Sequence, residues 1–186
     1  AVDKWKATDI LLSDKANDTL TLSMIDPNLV DEVTAKDTAV LAQTSSIIYK
    51  QSDKKAKENV SFFGIESDQF LKPNIIEGKN FKQKGEVVAD ISLKEQKNYA
   101  VGDKIKLATN EEELTIVGFT DNARFSVSPV LYTSLDTFQT VRYGSSMSIQ
   151  QKPSVNAIVT RGKVQDKPAS LQKLSIGKFI NKLPGY

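Results

Sequence analysis

The chain has 186 residues, 39% of them hydrophobic and 26% charged, with 25 basic and 23 acidic side chains for a net charge of +2. This is an ordinary composition for one domain or two small lobes, and it excludes collagen-like, mucin-like and fully disordered chains. It holds no histidine and no cysteine. That removes Ser-His-Asp triads, Cys-His nucleophiles, thiol redox chemistry, zinc sites of the usual kind and the imidazole pH switch.

In chain order, residues 8–13 read as a strand, followed by turn chemistry at 14–18. Residues 19–25 alternate, with Leu20, Leu22 and Met24 on one face and Thr19, Thr21 and Ser23 on the other, the pattern of a half-buried strand. Asp26-Pro27 starts a short helix, Asp26 as N-cap and Pro27 at the first helical position. Residues 40–50 are rich in β-branched and aromatic types and read as a strand. The lysine-rich stretch 52–59 reads as a charged turn, and 60–65 as another strand. One helical turn is expected over 67–71, ahead of Pro73.

Residues 77–81 read as a loop, 86–90 as a short buried strand and 91–98 as a short helix. A turn at Val101-Gly102-Asp103 leads to a strand over 104–107, a hairpin, and a return strand over 113–119. Residues 129–133 read as a strand, and Ser134 as the cap of a helix running to about Tyr143. Residues 145–153 read as a loop, 156–161 as a strand and 162–168 as a loop. In the last segment, Ile176, Phe179, Ile180 and Leu183 have helical spacing that ends at Pro184-Gly185.

Strands alternate with helices at both chain ends, whereas the middle has short strands and frequent turns. The expectation is an α+β fold: one α+β lobe from residues 1–59 and 128–186, with a β-rich lobe of residues 60–127 inserted. No apolar run approaches the ~18 residues that a membrane helix needs. Residues 1–10 carry charges and no signal-peptide core. Without an initiator methionine, the chain reads as a fragment of a longer protein. Nucleic acid is not an expected partner, because there is little basic excess and the only arginines are Arg124, Arg142 and Arg161.

Each candidate for chemistry has a plainer explanation. Glu111, Glu112 and Glu113 have the oxygen ligands for a hard cation, but a charge run of this kind normally sits solvated on a hairpin tip. Asp3, Asp9, Asp14 and Asp18 lack the glycine-punctuated spacing of an EF-hand. There is no P-loop and no glycine-rich dinucleotide loop. Phe62, Phe63, Phe70, Phe81, Phe119 and Phe125 concentrate in the middle of the chain. They read as core rather than as a ligand platform, with Phe125 the best candidate for exposure. Haem ligation would fall to Met24, Met147 or a tyrosine. Of these, Met24 reads as core, Tyr49 and Tyr132 lie on strands, and Met147 sits in a polar loop. Carboxylate pairs for glycoside hydrolysis are neither selected nor excluded.

A series of phrases carries a family resemblance. They are Phe63-Gly64-Ile65, Ile76-Glu77-Gly78-Lys79-Asn80-Phe81, Gly85-Glu86-Val87-Val88-Ala89-Asp90, Tyr99-Ala100-Val101-Gly102-Asp103-Lys104-Ile105-Lys106-Leu107, Leu114-Thr115-Ile116-Val117-Gly118-Phe119 and Pro129-Val130-Leu131-Tyr132-Thr133-Ser134-Leu135. In order and spacing this series resembles the extracytoplasmic domain of MacB/FtsX-type ABC transporter permeases, with Lys79 where the family phrase has Arg. The borders, Ala1-Val2-Asp3-Lys4-Trp5 and Leu183-Pro184-Gly185-Tyr186, look like those of the four-helix branch that includes haem-efflux (HrtB-like) and DevC-like permeases.

The resemblance implies a porter-like lobe built from both chain ends and an inserted β-rich lobe. It implies an extracytoplasmic position, with membrane helices just outside both borders, on what composition suggests is a Gram-positive surface. The implied partners are a second permease copy in a homodimer and a cytoplasmic ATP-binding subunit that this domain does not touch. The implied work is mechanical, in efflux or mechanotransmission, with haem or another amphipathic toxic compound as substrate. No catalytic, cofactor, metal or binding residue carries over by motif, so the domain is expected to be no enzyme and to hold no cofactor. Gly78, Gly102 and Gly118 are expected at turns or bulges. The alternatives are a surface module that binds a ligand or protein without transport, and a carboxylate-dependent hydrolase.

Overall fold

The computed structural model describes residues 1–183. The strands are β1 (Asp9–Ser13), β2 (Asp37–Lys50), β3 (Asp53–Ile65), β4 (Glu77–Gly78), β5 (Glu86–Asp90), β6 (Lys104–Leu107), β7 (Glu113–Thr120), β8 (Arg124–Phe125), β9 (Ser128–Ser134), β10 (Ala157–Arg161) and β11 (Leu171–Ser175). The α-helices are α1 (Val2–Trp5), α2 (Ser92–Lys97), α3 (Leu135–Tyr143), α4 (Ser145–Ser148) and α5 (Ile176–Asn181).

The chain divides into two compact units. The first holds Ala1, Thr44–Gly64 and Pro73–Lys152; the second holds Val2–Gln43, Ile65–Lys72 and the chain from Pro153 onward. This differs from the division drawn on the sequence, since 44–59 and 128–152 fall with the β-rich unit and 65–72 with the unit of the chain ends. Strand pairing is the reason. Residues 53–59 are the first half of β3, not a turn, and β2 and β3 pair as a hairpin. The expected charged turn shrinks to Gln51-Ser52.

In the β-rich unit the strands close on themselves. β2 pairs β3, β3 pairs β9, β9 pairs β5, β5 pairs β7, β7 pairs β6, and β6 returns to β2. This closed six-strand circuit is a small barrel, which leaves these strands no free edge to protect. β5 and β7 run parallel, a connection that needs a crossover, which α2 and β6 provide. The register shifts between Val87 and Val88, so that Val88 faces Gly118 and Val117 is bulged out. On the other edge of β7, Gly78 pairs with Gly118. Gly78 has φ +75°, and a Cβ there would strike the Val117 carbonyl; one on Gly118 would strike the Lys79 carbonyl. Glycine is required here because two backbones touch.

Fully buried Ile48, Phe62, Phe63, Ile105, Ile116 and Phe119 fill this unit. Ser134 caps α3 as its sequence suggests, its hydroxyl accepting from Thr137 N at 3.1 Å. Residues 145–148 form a helical turn rather than loop, because Glu112 accepts from the Ser145 amide at 2.6 Å and the Ser145 hydroxyl at 2.7 Å. Residues 77–78 likewise pair as β4 rather than remaining loop.

In the second unit the sheet order is β11-β1-β10-β2, every pair antiparallel. β1 is central, and Ile10, Leu11 and Leu12 are buried on both of its faces. α5 packs over β1 and β11 with Phe179 buried. The expected helix begins at Ile176, where its apolar spacing starts. Just before it, residues 171–175 pair along the whole of β1 as a strand. The expected stop at Pro184-Gly185 lies outside the described residues.

Residues 19–25 are not a strand either. Leu20–Leu22 is a 3-10 turn, with Leu22 and Met24 each 69% exposed, so Met24 is not core. Asn156 decides this: its Nδ2 donates to the carbonyls of Leu20 and Ser23, and its Oδ1 accepts from Gln43 N. Asp26 does start the next element, accepting from Asn28 N at 2.9 Å, but it is a 3-10 helix over Pro27–Glu32. Residues 65–72 join this unit through Gln69, which accepts from Val40 N, and Phe70, whose ring lies 4.2 Å beneath the Arg161 guanidinium.

Gly102 has φ +96°, and no atom lies within 4 Å of the place a Cβ would take, so the demand there is conformational and not steric. Gly102→Val is expected to cost about 1–3 kcal/mol, because a β-branched residue is strained at positive φ. Gly102→Asn should cost less, since asparagine tolerates that region better. Thermal unfolding of the two variants checks the order, and an unchanged melting temperature for Gly102→Val would refute it.

Candidate functional site

Within the β-rich unit a groove of about 510 Å³ opens over β2 and β3, walled by α2 and the β8–β9 hairpin. That lies within the ~300–1,000 Å³ range of small-molecule sites. Ser45 and Ser46 on β2 and Asn59 and Val60 on β3 form its floor. α2 brings Ser92, Leu93, Gln96 and Lys97, and the hairpin brings Arg124, Val127, Ser128 and Pro129. The lining thus combines hydroxyls and amides, the charged side chains of Glu58, Lys97 and Arg124, and aliphatic side chains, without an aromatic ring.

One buried carboxylate sets both walls. Asp90, 3% exposed at the end of β5, accepts from Ser92 N at 3.1 Å and from Ala123 N at 2.9 Å. The first bond fixes the start of α2, and the second fixes the approach to β8. α2 then stops at Asn98, which takes a left-handed conformation at φ 62°. Lys97 Nζ lies 3.6 Å from Glu58 Oε1 at the groove's edge, a half-exposed pair worth about 0–1 kcal/mol. Arg124 is exposed, and Val127 projects from the hairpin at 70% exposure.

Next to the groove, the buried Tyr99 ring has its phenol pKa pushed up to about 12, chiefly by burial and then by the nearby Glu58, Asp103 and Asp53 carboxylates. Glu86 is held below the usual carboxylate range by backbone N–H donors, from Gln83 at 2.9 Å and Lys82 at 2.8 Å.

The candidates from the sequence go to separate places. Glu111 lies 3.5 Å from Lys54, Glu112 holds Ser145, and Glu113 begins β7. Asp9 is buried on β1, Asp18 pairs with Lys182 at 2.9 Å, and Asp3 and Asp14 are exposed. Among the described residues no three acidic side chains converge as metal ligands. Phe62, Phe63, Phe81 and Phe119 are core. Phe125 is core too, contrary to expectation: it is 8% exposed and meets Phe63 edge-on at 5.3 Å. Phe70 is half-buried, in the unit of the chain ends. Tyr49 and Tyr132 are buried on β2 and β9, and Met147 is 45% exposed on α4. The groove itself escaped the sequence reading because its residues come from four separated segments of ordinary types. Val127, an apolar residue between Ser126 and Ser128, was the one visible cue.

Neither a protein-family model nor a curated protein matches the sequence. Solved structures do. The periplasmic region of MacB from Actinobacillus actinomycetemcomitans is similar with a TM-score of 0.62 at 11% identity, over 94% of this chain and 91% of that one. The extracellular domain of the noncanonical ABC-type transporter YknZ from Gram-positive bacteria gives 0.56 at 13% identity, over 87% and 84%. A domain of a putative permease from Porphyromonas gingivalis gives 0.50 at 14%, over 88% and 77%. The first two neighbours are a periplasmic region and an extracellular domain, and the likeness at such identity is one of fold. The chain has the mixed α/β fold of the MacB periplasmic region. No helix among the described residues is long and apolar enough to cross a membrane.

Two outcomes follow for the site. Asp90→Ala should destabilise by about 1–3 kcal/mol, as two buried amides lose their acceptor. In hydrogen exchange, the Ser92 and Ala123 amides should lose protection first. In the alkaline range the folded state keeps the Tyr99 phenol protonated, whereas an unfolded phenol titrates near ~10. Stability is therefore intact below pH ~10 and falls as pH rises toward the folded-state value. Urea midpoints between pH 9 and 12 should drop less in Tyr99→Phe than in the parent.

Proposed function

We propose that this chain is the extracytoplasmic domain of an ABC transporter permease subunit, passing ATP-driven movement at the inner face of the membrane to its outer face. The fold carries this reading: the likeness to the MacB periplasmic region runs over 94% of this chain and 91% of that region. The sequence phrases support it from an independent direction. They lie on the elements that close the barrel, Glu86–Asp90 on β5, Leu114 to Phe119 on β7 and Pro129 to Ser134 on β9, and on β4 (Glu77-Gly78), which pairs along β7.

On this reading the domain is no enzyme. A cytoplasmic ATPase supplies the energy, and a second permease copy completes a homodimer. Membrane helices precede and follow the domain, as in the four-helix HrtB/DevC-like branch. The substrate belongs to the class of haem and other amphipathic toxic compounds. A second reading, a surface module that captures a ligand, draws its support from the groove beside Asp90.

The chain contains no cysteine, which makes the test clean. Ser52→Cys on the β2–β3 turn, placed in the full-length gene product, is expected to react with a membrane-impermeant maleimide on intact cells. The subunit is expected to co-purify with an ATPase from detergent extracts. Labelling only after lysis would overturn the assignment. Surface labelling without an ATPase partner would leave the binding module standing.

A further inference from the structure

The 3-10 turn at Leu20–Leu22 and the two residues after it present their apolar side chains outward. Leu22 and Met24 are each 69% exposed, while Ser23 between them is 3% exposed. This inverts the usual pattern, and loose packing does not explain it. Ser23 Oγ accepts from Ser13 N at 2.9 Å, and Asn156 Nδ2 donates to the carbonyls of Leu20 and Ser23 at 3.2 Å each. Ile25 then exchanges two backbone hydrogen bonds with Val155, at 2.8 and 2.9 Å. Hydrogen bonds on both sides therefore fix a backbone that holds two large apolar side chains in the open, whereas a turn built only for water would carry polar residues there.

The same segment lies beside the end of the described chain. Asp18, two residues before Leu20, pairs with Lys182 at 2.9 Å. From Lys182 to Tyr186 the chain can extend by at most ~14 Å. Lys15 is exposed on the preceding turn and Lys182 pairs with Asp18, while Asp14, Asp18 and Asp26 are the acidic neighbours in sequence.

We propose that Leu22 and Met24 dip into the interfacial layer of the lipid bilayer, with Lys15 and Lys182 at the level of the lipid phosphates. This rests on the reading that a membrane helix follows the domain. Such a helix holds the segment within reach of the headgroups, and apolar side chains flanked by lysine suit that layer. Two side chains are too few to bind a bilayer unaided. The tether supplies the effective concentration, so the isolated domain is not expected to bind vesicles.

The experiment uses the full-length subunit, with Thr21→Cys as its single cysteine, labelled with an environment-sensitive nitrobenzoxadiazole dye. It is reconstituted in vesicles of phosphatidylglycerol and phosphatidylcholine. Emission at position 21 is expected to shift to the blue and to be quenched at least twofold by lipids carrying a shallow doxyl group. The same dye at Ser52→Cys should be unaffected. Adding Leu22→Asp and Met24→Asp, both at exposed positions, should abolish the quenching at 21. A subunit that floats with the vesicles yet shows no quenching at position 21 overturns this inference and leaves the transporter reading intact. Quenching that survives the two aspartates also overturns it, since the apolar pair would then not be the contact. A subunit that fails to float with the vesicles overturns the transporter reading and this inference with it.

Discussion

β6 hydrogen-bonds along both of its edges, to β2 on one side and to β7 on the other, and the β-rich unit depends on that double pairing. Without it the strands from β2 to β7 would form an open sheet with two exposed edges. Closure forces β7 to bend, and the bend is made where Val117 bulges and Gly118 passes against the Lys79 carbonyl. The turn before β6 needs positive φ at Gly102, and its geometry is fixed by Asp103 Oδ2, which accepts from Ala100 N at 2.9 Å. The phrases that resemble the permease family thus have a physical meaning. Their glycines and acidic residues are the joints of a closing barrel, and Glu86 and Asp90 bind backbone amides at either end of β5.

The groove is a by-product of that closure. Two walls rise from strands that must pair, and Asp90 holds both with one carboxylate. Its lining offers hydrogen-bond partners, charged groups and modest apolar area.

In the unit of the chain ends, a polar hub takes the place that closure has in the barrel. Asn156 joins β2 to the 19–24 segment, and Arg161 joins β10 to the end of α1 by donating to the Trp5 carbonyl through Nε and Nη2 at 3.0 and 2.7 Å. Both are single residues whose side chains satisfy several backbone groups at once. A buried group that loses such a partner costs about 1–3 kcal/mol, so these positions restrict what the surrounding segments can do.

Much was legible in the residues alone. The α+β class, the 86–90, 104–107 and 113–119 strands, the caps at Asp26 and Ser134 and the positive φ at Gly102 all follow from local chemistry: alternation, β-branching, cap oxygens and the conformational freedom of glycine. The misreadings are those where a partner distant in sequence outweighs a local signal. Lys54, Lys55 and Lys57 suggest a solvated turn until β2 supplies a strand to lie against. Leu22 and Met24 alternate like core until Asn156, more than 130 residues away, pins their backbone the other way. Phe125 has polar neighbours in sequence but an aromatic one in space, Phe63. The groove was invisible for the same reason, since four segments meet there only after the barrel closes. Local pattern determined which elements form; long-range hydrogen bonds decided which faces they bury and what they leave exposed.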